Sequence, residues 1–256
     1  MVPISIQGGG GVPAFVTFEQ RPSDGYTLLS ISPASVISHI QGRIDIDELL
    51  PLARVQYDQG LVWVAADSPY MTIQELVAEA TANPATITVG VSGAAGFDDV
   101  AMGLFAAEAG IELTTIPFSS SEMVSNTLGG QIDAMFEEFG PARGLFDSGD
   151  MRPLVVFAEE RLPTMPEVPT ARELGYEVTL GRWRAVAMHA EADPAHAAKL
   201  FEVIEQAVAT DSYKEYEEQN ALQYRSVLMG QDEFSAFIDQ EIETYTAVMK
   251  QLGYIE

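Results

Sequence analysis

Between Gly60 and Phe157 short apolar runs alternate with amphipathic stretches of about ten residues, and this rhythm limits the fold more than any other feature. Gly60-Leu61-Val62-Trp63-Val64-Ala65 is almost continuously apolar, the pattern of a strand covered on both faces. Thr72-Ile73-Gln74-Glu75 is a capping box that opens a helix, and Asn83-Pro84 closes it. The spacing then predicts strands at 87–91, 111–116, 131–136 and 153–157. Between them it predicts helices at 98–109 (stopped by Gly110) and 120–128 (stopped by Gly129-Gly130), and a short one at 141–146. Strands separated by helices of this length imply an α/β domain with a largely parallel sheet.

The flanks are less regular. Residues 2–6 are β-compatible and lead to a glycine loop at Gly8-Gly9-Gly10-Gly11; Ser23-Asp24-Gly25 signals a turn before a strand at 26–31. A proline-rich loop occupies 162–169, and 176–180 and 183–188 read as extended. The last 60-odd residues are helical, with one apolar stripe at Leu200, Ile204 and Val208. Phe234, Ile238, Tyr245, Val248, Met249 and Leu252 form another, and both read as core.

Composition removes whole classes of function. Thirteen Lys+Arg against 38 Asp+Glu give a formal charge of −25, which repels nucleic acid and anionic lipid. Of the cations only Lys199, Lys214 and Lys250 are lysines, a balance that suits solubility in salt. No apolar run is long enough to span a bilayer, and no basic stretch followed by an apolar core opens the sequence. With no cysteine and with His39, His189 and His196 scattered, we expect neither a metal site nor a cofactor. Gly8 to Gly11 lacks the Lys-Ser/Thr of a phosphate loop, and Ser119-Ser120-Ser121 lacks a nucleophile-elbow frame, so the chain reads as non-catalytic. Asp98 and Asp99 fall where a first helical turn favours carboxylates. Glu137 and Glu138, as sequence neighbours, do not by themselves make a two-carboxylate catalytic unit.

Two loops carry more information. Ser92-Gly93-Ala94-Ala95-Gly96-Phe97 and Pro117-Phe118-Ser119-Ser120-Ser121 each follow a strand and open a helix. Small residues let backbone approach a ligand, and N–H groups at a helix start attract anions. Two such loops at the C-terminal ends of strands line a crevice, although plain tight connections would look the same.

Several stretches resemble, in order, the solute-binding proteins of tripartite tricarboxylate transporters, the Bug or TctC family. They are Pro22-Ser23-Asp24-Gly25-Tyr26-Thr27-Leu28-Leu29, the 72–84 helix with Ala-Asn-Pro, and Leu128-Gly129-Gly130-Gln131-Ile132-Asp133-Ala134-Met135-Phe136. Leu162-Pro163-Thr164-Met165-Pro166-Glu167-Val168-Pro169-Thr170, Glu173-Leu174-Gly175-Tyr176-Glu177, Trp183-Arg184 and the closing 249–253 complete the set. The resemblance implies a two-lobed, type II-like periplasmic binding protein, each lobe a mostly parallel sheet flanked by helices. Lobe I would be 1–66 plus 183–256 and lobe II 67–182, with the chain crossing twice. It implies a monomer that closes on a small carboxylate or related polar metabolite and hands it to membrane permease subunits. A ligand sensor docking on a receptor is the alternative. The family's ligand loops fall on Ser32-Pro33-Ala34-Ser35, on Ser92 to Phe97, on Phe118 to Ser121, and on Glu137 and Glu138.

The resemblance also carries departures. The family's first strand, glycine-rich loop and helix have no counterpart ahead of Val2, which makes a short form that no longer binds a further expectation. The family's hydroxyl-rich loop with Ser-His becomes Ala94-Ala95-Gly96-Phe97-Asp98-Asp99, and its Tyr-Lys-Gly becomes Phe118-Ser119-Ser120. Phe97 and Phe118 are candidates for an aromatic wall. Arg143, Arg182 and Arg184 are candidates to offset the acids.

Overall fold

The computed structural model describes residues 2–6, 8–223 and 228–256. The chain divides into two units, one of 1–57, 183–218 and 225–256 and the other of 58–182 and 219–224. The short return of 219–224 to the second unit was not expected; it places Ala221 in that unit's apolar core.

In the first unit a glycine turn at Gly9–Gly11 leads into α1 (Val12–Glu19), whose first turn holds Pro13. Proline is tolerated there because its missing N–H has no partner to lose. The same holds for Pro33 in α2 (Pro33–Ile40), capped by Ser32 and Ser35. Neither helix was expected. Residues 2–6 are not a strand: they join no ladder, and Val2 and Ile4 are exposed. β1 is shorter than expected (Leu29–Ile31) and pairs antiparallel with β7 (Gly181–His189). β7 lies between β1 and β2 (Leu49–Ala65), a strand that runs from this unit into the other. α7 (Pro194–Val208) presents Leu200 and Ile204 to Leu52 and Met188. After α8 (Asp211–Gln219), α9 (Gln231–Gln251) buries Phe234, Ile238, Tyr245, Val248 and Met249. Each apolar side chain so buried stabilises by roughly 1.5–3 kcal/mol.

The second unit realises the expected βα rhythm. α3 (Ile73–Ala82) starts at the Thr72/Glu75 capping box, and β3 (Thr88–Val91) enters the sheet between the next two strands of the chain. There follow α4 (Phe97–Ala109), β4 (Thr114–Pro117), α5 (Ser120–Leu128), β5 (Ala134–Glu138), α6 (Phe139–Ser148) and β6 (Met151–Phe157). β4-β3-β5 are parallel; β2 pairs antiparallel with β5 and with β6. The sheet is therefore mixed, with its parallel strands at one end. The register of β2 and β6 slips between Val62 and Trp63, where Pro153 comes opposite and has no N–H to give the ladder. Gly60 leaves room for the Phe136 ring, which an added Cβ would strike. A chain of rings follows: Phe97–Phe136 (6.2 Å between centroids), Phe136–Phe157 (5.5 Å), Phe157–Phe105 (5.6 Å) and Phe105–Tyr176 (5.4 Å).

Candidate functional site

Because β4, β3 and β5 are parallel neighbours, the segments leaving them emerge on one edge of the second unit. Three of the expected ligand segments meet there. The N–H of Phe118 donates to the Val91 carbonyl at 2.9 Å, so the connections after β3 and β4 touch. Glu137 and Glu138 are the last residues of β5 itself rather than a loop after it. Ser32-Pro33-Ala34-Ser35, the fourth segment, is the cap and first turn of α2 in the other unit.

The edge is strongly acidic and largely buried. Asp98 and Asp99 lie in the first turn of α4, and Asp98, Asp99, Glu137 and Glu138 are all buried. Asp98 and Asp99 do more than complement the helix dipole. Asp98 Oδ2 accepts from the Ser92 N–H (2.8 Å) and hydroxyl (2.5 Å), and Asp99 Oδ2 accepts from the Ala95 N–H (2.8 Å). In the next connection Glu122 Oε2 accepts from the Ser119 N–H (3.1 Å) and hydroxyl (2.6 Å). The chain's own carboxylates thus occupy donors that the small-residue loops were expected to offer an anion. The signal for this, an acid within the first turn of each helix, is visible in the sequence; its direction is not.

Of the three arginines proposed to offset these acids, one does so. Arg182, at the start of β7, donates through Nη2 to Asp98 Oδ1 and to the Ser92 hydroxyl (3.3 Å). Its Nε lies 2.5 Å from Glu138 Oε1, an ion pair without hydrogen-bond alignment. The guanidinium rests 5.3 Å from the Phe97 ring centroid, a cation–π contact. Arg143 instead pairs with Asp147 and the Gln219 carbonyl, and Arg184 donates to the Trp183 carbonyl. Phe97 is buried, and Phe118 is half-buried against the core.

Charge follows geometry. Burial, helped by the neighbouring Glu138 charge, pushes the Glu137 carboxyl up to about 9, so it is protonated at neutral pH. Burial also raises Asp98, opposed chiefly by Arg182. Burial works against the charge on Arg182, but Glu138 and Asp98 outweigh it and hold the guanidinium firmly protonated. Trp63 Nε1 donates to the Glu137 carbonyl at 3.0 Å and fixes the end of β5. Among the described residues no group of three His, Asp or Glu side chains is arranged to hold a metal ion.

Comparison with known proteins gives this two-unit α/β chain a family. Residues 5–254 match the family model described as tripartite tricarboxylate transporter family receptor, and the chain belongs to that family. It is 27% identical over 254 residues to the UPF0065 protein in the gbd 5′ region of Cupriavidus necator, covering 96% of this chain and 76% of the relative. A second relative, the UPF0065 protein in the tcbD-tcbE intergenic region of Pseudomonas sp. strain P51, is 30% identical over 67% of this chain and 54% of its own length. Among solved structures the fold is similar to Rpa4515 of R. palustris with adipate (TM-score 0.83, 20% identity, 95% of this chain and 83% of that one). It is also similar to MatC (Rpa3494) from Rhodopseudomonas palustris with bound malate (TM-score 0.79, 19% identity, 94% and 85%). No described helix is long and apolar enough to cross a membrane.

Proposed function

We propose that this chain is an extracytoplasmic receptor that captures a small organic acid and delivers it to the membrane subunits of a tripartite tricarboxylate-type transporter. The observation that carries this reading is the convergence of Ser92, Asp98, Glu138 and Arg182 at the C-terminal edge of β3 and β5. Buried charges held in a fixed constellation at a strand edge are characteristic of recognition sites, and the edge offers a ligand one oriented cation. The adipate and malate held by two proteins of similar fold support an organic acid as the ligand class. The reading is of binding and release without a chemical step. The two units correspond in this proposal to the two lobes of the receptor, and 58–182 carries the acid-binding edge.

Thermal unfolding of the purified chain against mono-, hydroxy- and dicarboxylates tests the reading. A ligand at a hundred times its Kd adds about 2.7 kcal/mol. That raises Tm by roughly 5–11 °C for a chain of this size. A folded protein whose Tm no acid moves at millimolar concentration contradicts it.

A further inference from the structure

Resting on the reading just given, we infer that Arg182 is the anchor for the ligand's anionic group, and that the site admits one such group only: its ligand is a monocarboxylate whose remaining polar groups are neutral or cationic.

The first half follows from what the guanidinium has left to donate. Nε faces Glu138 and Nη2 is engaged by Asp98 and Ser92, while Nη1 makes no hydrogen bond among the described residues. The side chain as a whole is 23% exposed, so the guanidinium is not sealed in the core. Two carboxylates and the Phe97 ring already fix the guanidinium plane, so little side-chain freedom remains to be lost when an anion binds. The other arginines of 58–182 are committed: Arg143 to Asp147, Arg152 to the carbonyls of Ala66, Ser68 and Tyr70, Arg161 to Glu173, and Arg172 to Glu159 and Glu177. That stretch contains no lysine.

The second half follows from what surrounds the anchor. A second carboxylate needs either another cation or unspent backbone donors. The Ser92 and Ala95 N–H groups are spent on Asp98 and Asp99, and that of Ser119 on Glu122. A dicarboxylate would therefore bring its second charge against a site where carboxylates already outnumber the one guanidinium, and like charge in a partly desolvated site rejects it.

Calorimetric titration with matched acids reads this directly. Hexanoate, 6-aminohexanoate and adipate share a six-carbon chain and differ only in the far group; 3-hydroxybutyrate and malate form a four-carbon pair. The wild-type chain is expected to bind the singly anionic member of a series at least about tenfold tighter than the dianionic one. Arg182→Lys keeps the positive charge beside Asp98 and Glu138 but removes the Nη1 edge, and is expected to weaken that binding at least about tenfold. Asp98→Asn removes one repelling charge and is expected to narrow the gap between hexanoate and adipate. Arg161→Gln, whose arginine is held by Glu173, serves as the unaffected control. Dianions binding as tightly as monoanions, or undiminished binding by a folded Arg182→Lys, overturns the inference and leaves the receptor reading standing. A folded wild-type chain that binds no member of either series overturns both.

Discussion

Both units bury a carboxylate beside aromatic rings and an arginine, and they do it with different arithmetic. In the first unit Glu241 Oε2 accepts from Trp183 Nε1 at 2.9 Å and from the Tyr245 hydroxyl. Arg54 lies over Tyr57 and Phe237, 5.0 and 4.7 Å from their ring centroids. Burial raises the Glu241 carboxyl, and the hydrogen bonds from Tyr245 and Trp183 pull it back down. One acid is met there by two neutral donors. In the second unit Asp98, Glu137 and Glu138 gather around Arg182, and the guanidinium keeps donor capacity that the chain does not use. Trp183 and Arg182 are consecutive residues of β7, yet one serves each network, as the alternation of strand side chains allows. The first cluster sets one acid against two neutral donors and an arginine, whereas the second gathers several acids around one guanidinium, which is the cluster we propose for recognition.

The largest effect expected from this contrast is on Arg182→Gln. Removing the cation leaves two buried carboxylates without their partner, and breaking a buried ion pair from one side costs about 3–5 kcal/mol. Adding Asp98→Asn should recover part of that loss in urea denaturation; an unaltered midpoint in the single variant would show that the cluster carries no net charge coupling.

The next is a slope with pH. The Glu137 carboxyl is raised from an unfolded value of 4.5 to about 9, so the folded state holds the proton more tightly. Its contribution to stability is fully present below about 4.5 and is lost as pH climbs toward 9. The stability of the wild-type chain relative to Glu137→Gln should therefore fall steadily from pH 5 to pH 9. A flat or rising difference would place Glu137 in water.

The smallest effect is expected on the first unit's network. In Glu241→Gln the side-chain carbonyl still accepts from Trp183 and Tyr245, so what is lost is the charge assistance of those bonds and the attraction of Arg54, about 1.5 kcal/mol or less. A loss as large as that of Arg182→Gln would erase the distinction between the two clusters.

How much of this was legible in the sequence depends on whether the signal is local. The Thr72/Glu75 box, the helix of 120–128 and the stop at Gly110, which adopts φ 64°, are each decided by a few adjacent residues, and the structure has them where the spacing put them. β2 before Gly60 carries no continuous apolar run, because Pro51, Arg54, Asp58 and Gln59 interrupt it, yet Arg54, Asp58 and Gln59 are buried. α1 and α2 were not expected, and Pro13 and Pro33 sit in their first turns, where proline is tolerated. Residues 2–6 have strand composition without a ladder, since propensity counts for little when no neighbour supplies hydrogen bonds. The loops after β3 and β4 were recognisable from their small residues. That their donors turn inward to Asp98, Asp99 and Glu122 was not, because the spacing shows an acid near a helix start but not which group it accepts from. The role of Arg182 depends on contacts 84 and 90 residues away in the chain, beyond any local pattern.

The most direct test of the whole account is a crystal structure of the chain with the tightest-binding monocarboxylate of the matched series. The acid's carboxylate should lie within hydrogen-bonding distance of Arg182 Nη1, with Asp98 and Glu138 still holding the rest of the guanidinium. An ordered acid bound away from Arg182, or seated on the Ser92 and Ala95 N–H groups with Asp98 and Asp99 displaced from them, would contradict it.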